Sequence, residues 1–288
     1  MNGGAMHGRF AGKVALVAGC ARPPGMGFAT ALRLARAGAS VACVDAVGAV
    51  PDEWGPDAYD SGFVTPALLD AVTAEVGAAG PADAVAFPAD PFDQGSWEAA
   101  ASGALARFGR IDICCSLMGT TGTRAGNGSL LDVSPGSWQR CLDVNVTAPL
   151  LLSRACARAM IDRGEGGAIV LLSSYAAVMA PVRSGAVAAA RAATNTLTTV
   201  LAAELAPHNI RVNAVMPLGV QSSDPRFPNP GLTGAAGTPT GWAPTDIPMG
   251  RPQSPDETAA AIEFLCSDEA SYISGVCLPV AGGSHTHW

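Results

Sequence analysis

The chain has 288 residues, of which 49% are hydrophobic and 14% are charged, and its net charge is −7. This balance supplies enough apolar side chains for one large buried core and too little charge for an intrinsically disordered chain. The acidic charge argues against general binding to nucleic acids or anionic membranes, which both need a basic surface. No apolar stretch has the length of a transmembrane helix or the form of a secretory signal, so we expect a soluble, cytoplasmic protein.

Short apolar segments alternate with longer helical stretches, after a tail at residues 1–11 that we expect to be flexible. The predicted strands are 14–18, 40–44, 84–87, 111–116, 168–172, 212–216 and 276–280. The predicted helices are 28–37, 67–79, 96–108, 135–163, 185–205 and 255–265. Because apolar strands alternating with helices form parallel sheets that are covered on both faces, the sequence predicts an α/β fold. We expect a single, doubly wound Rossmann-type domain over residues 12–288.

The cysteines and histidines do not follow the spacing of metal ligands. The eight cysteines contain no CxxC pair and lie mostly in apolar runs, so we interpret them as buried thiols rather than ligands or disulfides. The four histidines are His7, His208, His285 and His287, and two neighbouring histidines do not make a metal site. We therefore predict no bound metal.

A glycine-rich turn follows the first predicted strand and leads into a helix. Its residues include Gly19, Arg22, Gly25, Met26 and Gly27. Glycines at such a turn let the backbone approach a pyrophosphate, which then lies at the N-terminus of the helix. The order of strand, turn and helix favours a dinucleotide site over a purely structural turn.

Asp45 ends the second predicted strand. A carboxylate there accepts hydrogen bonds from the adenosine ribose and repels a 2′-phosphate, so it favours NAD over NADP. Two alternatives stay open. Asp45 could be a solvated strand-end residue, and Arg22 could instead meet the 2′-phosphate of NADP.

Several further motifs occur in the order typical of one enzyme family. They are Ala89-Asp90, Gly119, Asp143-Val144-Asn145, Ser173-Ser174 and the segment 210–217. Together with the glycine turn and Asp45, they make residues 10–284 resemble the short-chain dehydrogenase/reductase family. The resemblance implies an NAD(P)-dependent oxidoreductase that acts on a small organic molecule, which we associate with specialised biosynthesis.

The same resemblance implies where the cofactor and substrate would bind. It places Asp90, with Pro91 beside it, at the adenine edge and Gly119 near the cofactor. It places Pro217 to Val220 at the nicotinamide carboxamide and makes residues 221–249 a mobile lid over the substrate. It also implies a homo-oligomer, either a dimer or a tetramer, formed through the helices at 135–163 and 187–205.

The sequence departs from the family at the positions that perform proton transfer. The Tyr and Lys of the family fall on Val187 and Arg191. A valine cannot donate or accept a proton, and an arginine is no proton donor at neutral pH. Arg191 keeps a positive charge that could bind the nicotinamide ribose. Loss of a general acid typically costs about 10²–10⁴ in rate.

Other residues could take over the missing role. Ser174 matches the catalytic Ser of the family, and Asn145 matches the residue that holds a proton-relay water. Tyr175 could replace the hydroxyl if the backbone turns it inward, or it could pack on its loop or contact the substrate. We interpret Arg183 as a solvated loop residue, with an anionic substrate as the alternative.

Three functions therefore remain open from the sequence. The first is an oxidoreductase with an altered proton path. The second is a non-redox catalyst, such as a cyclase, isomerase or eliminase, that uses the same pocket. The third is an NAD-binding pseudoenzyme subunit. Because Ser174, Asn145, Asp45 and the glycine turn occur together, the sequence favours the first.

Overall fold

The computed structural model describes residues 8–48, 64–90, 92–119, 128–179, 181–220 and 247–284. Within these residues, seven strands form one sheet: β1 (Val14–Ala18), β2 (Ser40–Ala46), β3 (Ala84–Ala89), β4 (Ile113–Ser116), β5 (Gly167–Leu172), β6 (Ile210–Pro217) and β7 (Cys277–Val280). The helices are α1 (Met26–Arg36), α2 (Pro66–Ala79), α3 (Gln94–Phe108), α4 (Pro135–Leu142), α5 (Ala148–Arg163), α6 (Ala176–Met179), α7 (Gly185–Leu205) and α8 (Pro255–Cys266).

The strands lie in the order β3-β2-β1-β4-β5-β6-β7, and every neighbouring pair is parallel. The chain runs outward from β1 to β3, returns to place β4 beside β1, and then runs outward in the other direction. This order confirms the predicted doubly wound α/β fold. Between β1 and β4 the connections diverge, and in such sheets ligands bind in the crevice at the carboxyl ends of those two strands.

Alternating strand residues form two cores, one on each face of the sheet. Ala15 and Val17 of β1 pack with α1, α2 and α8, whereas Leu16 and Ala18 pack with α3, α5 and α7. This separation follows from the two-residue period of a strand. Seven of the eight cysteines are buried and Cys277 is half-buried, so the interpretation of these residues as buried thiols is confirmed.

Three of the differences between the structure and the predicted elements bear on the site. The helix predicted at 135–163 is interrupted by a π-helical turn, Asp143–Thr147, which separates α4 from α5. Strand β2 continues to Ala46, so Asp45 lies within the strand rather than at its end. The short helix α6 was not predicted. Among the described residues, no helix combines the length and apolar character that crossing a membrane requires.

Asp112 joins several elements at the amino edge of the sheet, opposite the crevice. Its side chain is 4% exposed, accepts a 2.8 Å hydrogen bond from the Val14 N–H and pairs with Arg110 and Arg163 at 2.7 and 3.0 Å. Burial by itself would raise the pKa of Asp112. The Arg110 and Val14 hydrogen bonds and the Arg163 charge outweigh that effect and lower the pKa below its ordinary value of 3.8.

We predict that Asp112→Asn lowers the free energy of unfolding by about 2 kcal/mol at pH 7, because a buried carboxylate loses its charge-assisted hydrogen bonds to the Val14 N–H and to two half-buried arginines. A carboxyl whose folded-state pKa is lowered stabilises the fold above its unfolded-state pKa. This stability is lost as the pH falls through the folded-state pKa. The difference in the free energy of unfolding between wild type and variant should therefore shrink as the pH is lowered from 5 to 2. Urea titrations at each pH measure it.

Asp83→Asn is the matched control. Asp83 forms an ion pair with Arg107 in which the side chains are 67% and 49% exposed, respectively. Such a pair contributes less than about 1 kcal/mol. Equal losses in the two variants would contradict the role of Asp112.

Candidate active site

The glycine turn lies at the crevice between β1 and β4. Gly19 has a φ of +86°, and a Cβ there would stand 2.9 Å from the Leu117 carbonyl carbon and from the Met118 nitrogen. A Cβ on Gly27 would overlap the carbonyl oxygen of Gly19. Close approach of three backbone segments therefore requires glycine at these positions.

The N-terminus of α1 is open to an anion. Helix α1 begins at Met26 with Gly25 as its N-cap; no side chain caps it, and its first turn has no acidic residue. The first N–H groups of a helix have no partner within the helix and lie at the positive end of its dipole. The residues present therefore fit the pyrophosphate of a dinucleotide, as the sequence predicts.

Asp45 is turned towards the glycine turn and is not solvated. It is 3% exposed, and its two carboxylate oxygens accept from the Ala21 N–H at 2.6 Å and the Ala46 N–H at 2.8 Å. Burial raises the pKa of Asp45 to about 6, against the lowering effects of the Ala21 N–H and the Arg22 charge. The alternative of a solvated strand-end residue is therefore wrong. Arg22, which is half-buried, lies close enough to act on this carboxylate.

Asp90 follows β3 at the same carboxyl edge and is exposed. Its Oδ1 accepts a 2.9 Å hydrogen bond from the Phe92 N–H, so the carboxylate is held in a local turn. Pro91, His7, His285 and His287 lie outside the described residues, as does segment 221–246 of the predicted lid.

Arg191 reaches under Gly119. The guanidinium is 6% exposed, Nη1 donates to the Leu172 carbonyl oxygen, and a Cβ on Gly119 would overlap Nη2. Among the described residues, no carboxylate lies within ion-pair distance of Arg191. Burial lowers the pKa of Arg191 to about 10, with a small opposing effect of Cys141. The site therefore contains a buried cation without a carboxylate partner in the described chain.

Asn145 lies in the π-helical turn and is fully buried. Its Nδ2 donates to the Cys141 carbonyl oxygen at 2.8 Å, and its own carbonyl accepts from Thr194 Oγ1 of α7 at 2.9 Å. The Asn145 Oδ1 would stand 3.2 Å from a Cβ on Gly119. Turns of this kind occur often at functional sites because they redirect a side chain. The structure thus brings Asn145, Gly119 and Arg191 together.

The loop after β5 is fixed by hydrogen bonds to two neighbouring elements. Ser173 Oγ donates to the Arg191 carbonyl at 3.1 Å, and the Tyr175 N–H donates to the Pro217 carbonyl at 3.1 Å. Ser174 is half-buried, and its Oγ accepts from the Ala176 N–H at 3.1 Å. The Ser174 hydroxyl can therefore still donate its hydrogen to another group. Tyr175 is 2% exposed, so it does not lie on the surface of its loop.

Position 187 offers no polar group to this site. Val187 is 8% exposed and belongs to a small apolar cluster with Cys141, Ala186 and Ala190. Since Val187 and Arg191 stand one turn apart on α7, they share one face of that helix. That face supplies a positive charge and no ionisable hydroxyl.

The segment after β6 is held by a residue that the sequence did not single out. Gln253 Nε2 donates to the carbonyls of Leu218 and Val280 at 2.8 and 2.7 Å, and Val220 forms an isolated β-bridge with Gln253. Only the three-dimensional pairing identifies this glutamine, since no local motif marks it. Pro217, the last residue of β6, therefore pairs with Val280 of β7, while Gly219 and Val220 lie against Gln253.

Arg183 and His208 are both exposed. Arg183 has a φ of +69°, and His208 ends a short 3₁₀ helix. The exposure of Arg183 agrees with its interpretation as a solvated loop residue.

Comparisons with known proteins agree with this architecture. A family model described as enoyl-(acyl carrier protein) reductase matches residues 64–285. The trans-4-hydroxycyclohexanecarboxylate dehydrogenase of Sinomonas cyclohexanicum is 34% identical over 276 residues, which cover 96% of this chain and 93% of the relative. A 3-alpha-(or 20-beta)-hydroxysteroid dehydrogenase of Mycobacterium tuberculosis is 32% identical over 284 residues, covering 97% and 92%. Among solved structures, carveol dehydrogenase from Mycobacterium avium in complex with NAD has a TM-score of 0.81 and 30% identity, covering 96% and 99%.

The contact between Gly119 and Arg191 predicts the effect of a substitution. Gly119→Ala should lower the free energy of unfolding by about 1–3 kcal/mol, because the new methyl group displaces a buried guanidinium. In a protein that already carries Arg191→Met, the same substitution at Gly119 should lower the free energy of unfolding by less than about 1 kcal/mol. Urea titrations of the four proteins in this double-mutant cycle measure the coupling between the two positions.

Gly77→Ala in α2 is the control for this cycle. A Cβ at Gly77 would meet its nearest atoms at 3.5 Å or more, which is an ordinary contact. We expect this control to be neutral or slightly stabilising. An undiminished cost of Gly119→Ala in the Arg191→Met background would refute the proposed contact.

Proposed function

Because the chain belongs to the short-chain dehydrogenase/reductase family, we propose that it is an NAD-dependent oxidoreductase with a non-standard active site, acting on a small cyclic alcohol or ketone. One observation carries this proposal. The glycine turn, the carboxylate of Asp45 and the buried cation of Arg191 lie along the carboxyl edge of the sheet around its switch point. This is where doubly wound sheets bind dinucleotides.

Residues on both sides of the crevice would hold the cofactor. Gly19, Gly25 and Gly27 would admit the pyrophosphate to the N-terminus of α1, and Asp45 would accept from the adenosine ribose. Asp90 and Pro91 would border the adenine, while Pro217 to Val220 would face the nicotinamide. The buried Asp45 supports NAD over NADP because a 2′-phosphate would meet an acidic group. The bound NAD in the carveol dehydrogenase structure points the same way.

The bound nicotinamide would supply or accept the hydride, and the chain would supply hydrogen bonds and charge. Ser174 would donate its free hydroxyl hydrogen to the substrate oxygen. The Arg191 guanidinium would stabilise negative charge that develops on that oxygen, because a buried cation without a carboxylate interacts strongly with a nearby anion. Asn145 would position groups in the same pocket. Val187 would only shape it.

The substrate class rests on the names of similar enzymes. Two of these names specify a hydroxyl group on a cyclohexane ring or on a steroid. We therefore propose a secondary alcohol on an aliphatic ring, or the corresponding ketone. We still predict that residues 221–249 form a lid over the substrate. We also predict that the protein assembles into dimers or tetramers.

The test of this function is a single-turnover experiment with NAD⁺ and a panel of ring alcohols that includes trans-4-hydroxycyclohexanecarboxylate and carveol. If the protein is an oxidoreductase, the absorption band of reduced nicotinamide should grow as the ketone forms. Product formation without that band would favour the non-redox alternative. If neither product nor the band appears with any member of the panel, the oxidoreductase proposal fails.

We predict that Asp45→Ala weakens NAD binding about tenfold and removes the preference over NADP, because the ribose hydroxyls lose a charged acceptor. With a pKa of about 6, Asp45 is ionised at pH 8 and largely neutral at pH 5. The preference of the wild type for NAD should therefore narrow as the pH falls through 6, since a neutral carboxyl repels no phosphate. Calorimetric titrations with both nucleotides measure these effects.

Asp83→Asn is the control for the titrations, because Asp83 precedes β3 at the opposite edge of the sheet. It should preserve both affinities and the pH dependence. A wild-type preference that stays constant between pH 5 and pH 8 would count against the role of Asp45.

We further predict that Ser174→Ala lowers kcat about 100-fold while nucleotide affinity stays unchanged, because the variant lacks a hydrogen-bond donor to the reacting oxygen. Ser184→Ala is the matched control, since Ser184 precedes α7 on the following loop and its side chain forms no capping hydrogen bond. Steady-state kinetics with the fastest ring alcohol compares the two. Full turnover in Ser174→Ala would exclude Ser174 from the chemistry.

A further inference from the structure

The hydroxyl group of Tyr175 is buried and lacks a partner. The side chain is 2% exposed, and within the described part of the chain its phenol oxygen forms no hydrogen bond. Folded proteins contain few such groups, because a buried polar atom that has left water without a new partner destabilises the fold. A phenylalanine would avoid this cost, so the hydroxyl calls for an explanation other than stability.

The position of Tyr175 supplies that explanation. Although it is buried, Tyr175 belongs to none of the three apolar clusters that form the interior. Its N–H is fixed to the Pro217 carbonyl, where β5 and β6 end. Helix α6, which begins at the next residue, packs against α7, the helix that carries Val187 and Arg191. The backbone of Tyr175 therefore lies at the carboxyl edge of the sheet, directly after Ser174 and beside the helix that carries Arg191.

The neighbouring residues leave a specific role open. Ser174 can donate one hydrogen bond, Arg191 offers a fixed cation, and Val187 has no proton to exchange. Reduction of a ketone leaves an oxygen that requires a proton, and oxidation of an alcohol releases one. Among the residues of the β5–α6 loop and the facing turn of α7, Tyr175 is the one phenol.

We propose that the hydroxyl group of Tyr175 exchanges the proton with the substrate oxygen, in place of the hydroxyl that position 187 lacks. In the reducing direction the carbonyl carbon accepts the hydride, and the electron pair of the C=O π bond moves onto oxygen. That oxygen then takes the proton of Tyr175, and solvent water returns a proton to the phenolate. Oxidation follows the same steps in reverse. The inference rests on the proposed oxidoreductase function and assigns its proton-transfer residue.

The test compares Tyr175→Phe with wild type, using NAD⁺ and whichever of carveol and trans-4-hydroxycyclohexanecarboxylate the wild type oxidises faster. We expect kcat to fall about 10²–10⁴-fold, the effect of losing a general acid or base. The KM and the calorimetric Kd for NAD⁺ should change less than twofold. The pH profile of kcat/KM should also change shape, which the loss of a packing contact alone would not cause.

Thermal unfolding supplies a readout that does not depend on turnover. Because the variant removes a buried hydroxyl without a partner, its Tm should equal or exceed that of wild type. Tyr272→Phe is the matched control, since Tyr272 is fully exposed and should leave kcat, the pH profile and Tm unchanged.

Each outcome has a definite meaning. Full kcat and an unchanged pH profile in Tyr175→Phe would overturn the assignment of Tyr175 and leave the oxidoreductase function intact. A lower Tm with weaker NAD⁺ binding would show that the hydroxyl supports the fold, which also overturns the assignment. If wild type oxidised no member of the panel of ring alcohols while still binding NAD⁺, the proposed function would fall first and this inference with it.

Discussion

The close approach of the backbone at Gly19 is the constraint on which the rest of the site depends. Gly19 lies against the peptide between Leu117 and Met118, and its carbonyl lies against Gly27. The first contact holds the ends of β1 and β4 together at the switch point, and the second seats the start of α1 on the same turn. Any side chain at these glycines would separate the elements. The crevice, the open helix N-terminus and the position of Gly119 all follow from that packing.

The crevice contains two buried ionisable side chains, Asp45 and Arg191, whose burial lowers the stability of the fold. Burial raises the pKa of Asp45 and lowers that of Arg191, so each ionised form is disfavoured by its surroundings. Structural ion pairs behave differently, as Asp112 shows at the opposite edge, where two arginines lower the pKa of the carboxyl. Titratable groups with strongly shifted pKa values cluster at functional sites. The amino edge of the sheet therefore carries a stabilising ion-pair cluster around Asp112, whereas the carboxyl edge carries the two destabilised charges of the proposed binding site.

The sequence predicted the fold well because its strands and helices depend on local patterns. Helix α7 was predicted with the bounds that the structure shows, and β1 likewise. The errors arose where tertiary contacts override those patterns. The apolar pattern is continuous across Asp143–Thr147, so nothing local marks the π-helical turn that buries Asn145. From the sequence, Asp45 was placed at the end of β2. In the structure, however, the pairing between β2 and β3 continues through Ala46. The role of Gln253 depends on carbonyls more than 25 residues away.

Because position 187 carries a valine where the family has a tyrosine, a proton-transfer group would have to be held by a different part of the structure. A tyrosine on α7 would be fixed by a long, packed helix. Tyr175 is instead held by its N–H bond to Pro217 and by the hydrogen bond between Ser174 and Ala176 that follows in the same loop. Ser173 Oγ donates to the backbone carbonyl of Arg191, and Arg191 Nη1 donates to the Leu172 carbonyl, so hydrogen bonds join this loop to the residue that carries the cation. Preorganisation needs rigid support rather than a particular element. These hydrogen bonds at the ends of β5 and β6 would provide it, so a valine on α7 is compatible with the proposed role of Tyr175.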